Sequence, residues 1–167
     1  MLKDISNFNK GQDLLYKLHV SEKMRSEEGY CNEQKVQECI KCFEDAIKEN
    51  NMIPCSNLNL ARISICLGNY DKAEYYLKNV EDLYQQDKTC GDVDYMKFVP
   101  YYRGVIKLLQ KGKQDAEVTK LFAEAKQKDL NSYLPDGFDK NDPVLINYEH
   151  EDKCKSIHRL GSQRPSV

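Results

Sequence analysis

No stretch of about 18 consecutive apolar residues occurs in this chain of 167, so no segment reads as a membrane-spanning helix. The opening residues, MLKDISNFNKGQD, lack the apolar core of a secretory signal. An excess of either charge is also missing. Lys and Arg number 25 against 27 Asp and Glu, a formal net charge of −2, which excludes any broad attraction to nucleic acid or anionic lipid. No glycine-rich phosphate loop, G-x-S-x-G elbow or H-E-x-x-H pair is present, so an enzyme is not expected. The seven cysteines are odd in number and fall at helix-like spacings, which fits reduced thiols in a cytoplasmic chain better than a disulfide framework. With 40% apolar residues, one domain can close a core if its elements stack.

The chain does contain an internal echo. Cys39, Phe43 and Ala46 recur 34 residues later as Ala73, Leu77 and Val80. Positions four and seven apart share a helix face, and a small residue at the first of them lets a second helix approach. The pattern therefore predicts repeated helical hairpins. Residues 1–10, rich in Asn and Lys, read as a flexible leader with one docked turn at most, and 11–130 as the repeat domain. Helices are expected from Gln12 to about Glu27, with Leu14, Leu15, Leu18 and Met24 near one face, and from about Glu33 to Asn50. Pro54 suits the first turn of the next helix. In LNLARISICL, Leu58, Leu60, Ile63, Ile65 and Leu67 are compatible with a half-buried strand. The 34-residue echo favours a central helix packed on several sides.

Gly68 is expected to end that helix and Asn69 or Tyr70 to begin the next. A third, degenerate hairpin follows the insertion at 85–95, with Gly104 and Ala116 spaced as Ala61 and Ala73 are. The apolar positions after it, Val118, Leu121, Phe122 and Ala125, are displaced by one residue. Residues 131–161 read as an irregular connection and a terminal helix. Asp142 caps it, Pro143 stands in its first turn, and Val144, Leu145, Tyr148, Ile157 and Leu160 suit a cover for an open core. Residues 162–167 read as a disordered tail.

The stretch LNLARISICLGNYDKAEYYL resembles the tetratricopeptide repeat (TPR) pattern W-x2-L-G-x2-Y…A-x3-F. Leu60 and Ala61 stand for Leu-Gly, Ala73 and Leu77 for the small and aromatic positions, and the tryptophan is absent. This resemblance implies an all-α solenoid of about three TPR-like hairpins with a C-terminal capping helix. It also implies an adaptor or assembly subunit that captures a protein or peptide partner in a concave groove lined by the first helix of each hairpin. The groove residues it implies are Lys17, Asn59, Arg62, Tyr101, Tyr102 and Arg103. Some members hold the C-terminal carboxylate of a chaperone with Lys, Asn and Arg, so a co-chaperone is an alternative expectation. Asn59 matches the middle asparagine of that clamp, whereas Tyr102 stands in place of its arginine, with Arg103 next to it.

Three further features compete with packing as an explanation. Cys39 and Cys42 have a spacing found in zinc sites, but Cys39 occupies the position Ala73 fills one repeat later, so packing accounts for it and no metal or cofactor is expected. His150, Cys154 and His158 form a stripe in which the two histidines are about 12 Å apart along a helix axis, too far to share one zinc. Lys17, Arg62, Arg103 and Lys107 make helical-repeat RNA binding a second alternative, although nucleic acid is not the expected partner. Partner identity and oligomeric state are not legible.

Overall fold

A computed structural model describes residues 5–23, 33–50, 52–86 and 95–128. Among them the chain is helical throughout, with six helices and no strand. The helices are α1 (Ser6–Lys23), α2 (Glu33–Lys48), α3 (Ile53–Cys66), α4 (Tyr70–Gln86), α5 (Phe98–Lys111) and α6 (Ala116–Lys128), with a single 3-10 turn at Tyr95–Lys97 before α5. No described helix is long and apolar enough to cross a membrane. The expected terminal helix, the tail, most of the 85–95 insertion and the His150, Cys154, His158 stripe lie outside the described residues.

Consecutive helices pair: α1 with α2, α3 with α4, and α5 with α6. In addition α3 packs on α2, and α5 on both α4 and α3. The second helix of each pair carries the same buried triad at intervals of four and three: Cys39, Phe43, Ala46; Ala73, Leu77, Val80; and Val118, Phe122, Ala125. All nine side chains are at most 1% exposed. Spacing of this kind puts the three residues on one stripe of a helix, and their burial shows that the stripe faces the partner helix.

Small residues on the first helices allow the close approach. A Cβ on Gly11 would come within 2.9 Å of the Phe43 ring, and one on Gly104 within 2.7 Å of the Phe122 ring. The middle pair has the inverse allocation, Ala61 with a smaller Leu77, and both are fully buried. Cys39 adds a polar contact, its thiol donating to the Gly11 carbonyl at 3.5 Å.

The expected register of the third hairpin is corrected. Ala116 is exposed at the first residue of α6, and Val118 takes the small-residue position, a displacement of two residues rather than one. The connections account for one of these two residues. Three residues, Leu67–Asn69, join α3 to α4, where Gly68 adopts φ 74° and Asn69 caps α4 by accepting from the Lys72 amide at 3.2 Å. Four residues join α5 to α6, with Gly112 at φ 70° donating to the Leu108 carbonyl and Asp115 capping α6 by accepting from the Val118 amide at 3.1 Å.

The first helix also begins earlier than expected. It starts at Ser6 instead of Gln12, because Phe8 is buried edge-on against Phe43 with ring centroids 6.0 Å apart, and this contact anchors residues assigned to the leader. The segment that alternates like a strand is α3. Ten of its residues are buried, including Asn57, Asn59 and Ser64, so apolar residues are needed on several faces and no single stripe results.

Candidate functional site

Side chains on α1, α3 and α5 meet in a continuous chain. The Asn59 amide donates to Gln12 Oε1 at 2.8 Å, Arg62 donates to Asn59 Oδ1 at 3.5 Å, and the Arg62 guanidinium stands 5.9 Å from the centroid of the Tyr102 ring. On α3 these polar groups sit three residues apart and so share one face. The first helices of all three pairs are thereby joined. Tyr16 lies one turn beyond Gln12 on the same stripe of α1 and is 70% exposed, the largest exposure among the described large hydrophobic side chains.

The six predicted groove residues fall into three settings. Asn59, Arg62 and Tyr102 belong to the chain just described. Of these Asn59 and Tyr102 are buried and Arg62 is half-buried. Lys17 is exposed on α1 next to Tyr16. The other two point elsewhere. Tyr101 is 2% exposed and tilts onto Phe122 with centroids 5.7 Å apart, which makes it part of the α5/α6 core.

Arg103 turns towards α4, donating through Nε to Glu74 Oε1 at 2.7 Å and pairing through a second nitrogen with Glu81. Burial alone would lower its pKa, but the hydrogen bonds to Glu81 and Glu74 outweigh that cost and raise it. Arg103 therefore clasps the second and third pairs together and does not stand beside Asn59. The cation beside Asn59 is therefore Arg62 on α3, not Arg103.

Cys39 and Cys42 are both buried on α2. Burial, then Cys42 and Glu38, push the Cys39 thiol up to about 12, and burial raises Cys42 as well. Among the described residues no group of three or more His, Cys, Asp or Glu side chains is placed to hold a metal ion.

A second surface feature was not foreseen. A cleft of about 330 Å³ opens between the end of α2, the start of α3 and the outer side of α4. Ile47, Ile53 and Leu83 supply its apolar lining, beside Tyr75 and Tyr76. Its polar lining includes Asn57, Asn79 and Asp82. Tyr75 is 61% exposed and meets Tyr76 edge-on, with centroids 5.4 Å apart. The consecutive tyrosines in AEYYL were the only sequence signal, and a helical pattern alone does not say which of two neighbours faces solvent.

Comparison with protein-family models, with curated proteins and with solved structures returns no match.

Proposed function

We propose that the chain is a protein-interaction scaffold of the helical-repeat type. In this reading three TPR-like hairpins stack in order, and their first helices α1, α3 and α5 present one surface to a peptide or helix of a protein partner. The observation that supports it best is the chain from Gln12 through Asn59 and Arg62 to Tyr102, which connects these three helices in succession. The recurring buried triad on α2, α4 and α6 supports the repeat character. Contact with the partner falls to the exposed members of the surface, Tyr16 and Lys17, together with the half-buried Arg62. Buried Asn59 and Tyr102 hold Arg62 in place.

The test is affinity capture from native cell extract with the full chain and with a Tyr16→Ala, Lys17→Glu variant. Both positions are exposed, so circular dichroism should show unchanged helicity. The reading expects a partner retained by the native chain and lost by the variant. Retention of the same partner by both would place the binding surface elsewhere.

A further inference from the structure

We infer that the cleft between α2, α3 and α4 is a second docking site, one that receives an arginine side chain of a partner protein. It lies on different helix faces from the α1, α3, α5 surface and does not depend on that reading.

The cleft combines the three things a guanidinium on an aliphatic stem requires. Ile47, Ile53 and Leu83 offer apolar surface to the methylene groups. Tyr75, 61% exposed, offers a ring face, and buried Tyr76 beside it already draws a cation, since Lys72 Nζ stands 6.0 Å from its centroid. Asp82 supplies a carboxylate. Its Oδ1 accepts from Lys78 at 2.6 Å in an exposed pair one helical turn apart, and its other oxygen is the one a partner cation would take.

The balance of charge points the same way. Among the described residues no Lys or Arg lines the cleft. The Asn57 amide donates to the Ile53 carbonyl and the Asn79 amide to Asn57 Oδ1, so each turns one N–H towards the protein. Glu44 adds negative potential from α2: burial first and then this carboxylate hold the Tyr76 phenol above its ordinary pKa. An arginine fits better than a lysine, because its planar group stacks on tyrosine and meets a carboxylate with two parallel hydrogen bonds, whereas an ammonium meets each as a point charge.

Two capped tripeptides test the assignment against the full isotope-labelled chain by amide NMR: N-acetyl-Leu-Arg-Leu-amide and the same peptide with citrulline, which keeps the shape and removes the charge. At about 1 mM peptide the arginine form should shift the amides of Ile47, Ile53 and residues 75–86, with the citrulline form about tenfold weaker. Asp82→Asn should remove most of that difference and Tyr75→Ala should weaken the arginine form. Both residues are exposed, and unchanged spectra away from the cleft confirm the fold. Equal binding of the two peptides, shifts centred on Gln12, Tyr16, Arg62 and Tyr102 instead, or no shifts at all would each overturn the assignment.

Discussion

Replacing Gly104 by alanine places a methyl group 2.7 Å from Phe122 Cε1 and 2.9 Å from Cδ1, closer than carbon atoms tolerate. The ring has little room to yield. It is 1% exposed and lies against Tyr101 with centroids 5.7 Å apart. Overpacking of this kind costs about 1–3 kcal/mol, and the better helix propensity of alanine returns about 0.5–1 kcal/mol. Gly104→Ala should therefore lose about 1–2 kcal/mol, although in an exposed helix it would stabilise. Phe122→Leu alone should lose a similar amount by leaving a void.

The double variant installs the residue types that buried Ala61 and Leu77 supply in the middle hairpin, so its loss should fall short of the sum by about 1–2 kcal/mol. Urea unfolding of the four proteins, followed by circular dichroism, reads this as midpoints about 1 M lower for each single variant and partial recovery in the double one. Losses that add within about 0.5 kcal/mol would refute the idea that a small and a large residue are matched by volume across each hairpin.

Other consequences follow from the same geometry. Arg103→Ala should cost about 1 kcal/mol by undoing the clasp on Glu74 and Glu81, and Arg103→Lys should recover only part of it, since one ammonium does not span both carboxylates; urea midpoints measure both. Asp115 is held below the ordinary aspartate range by the Lys111 hydrogen bond and then by the Val118 amide. Its depressed folded pKa means the stabilisation is complete above the unfolded value and fades as pH falls through the folded one. Asp115→Asn should flatten that acid limb of the stability curve. Cys39→Ala, which installs the residue found at position 73, should keep the fold at a cost of about 1 kcal/mol, and zinc should leave the melting temperature of either protein unchanged.

The hairpins of the middle of the chain were legible because a single stripe on α2 and another on α4 carry all their buried positions. For α3 the periodicity was ambiguous for a physical reason: buried on several sides, it carries no contrast between faces, and only the echo in its neighbours identified it as a helix. Gly11 escaped notice because glycine disfavours helix interiors by local propensity, and the compensation comes from Phe43, distant in sequence. In the third hairpin one extra connecting residue and a later α6 start moved the register, which spacing from Gly104 could not reveal. At the site, Asn59 and Arg62 meet on α3. Tyr101 and Arg103 do not join them, because adjacent helical residues point about 100° apart: Tyr101 meets Phe122, Arg103 meets α4, and Tyr102 between them receives Arg62.

The scaffold reading is tested most directly by placing a photo-reactive benzoylphenylalanine at position 16, in place of the exposed Tyr16, and irradiating the chain in native cell extract. The account predicts a discrete cross-linked protein from position 16, competed away by the unmodified chain and not obtained when the same group stands at exposed Lys120 on α6. Equal cross-linking from both positions, or from position 120 alone, would contradict it.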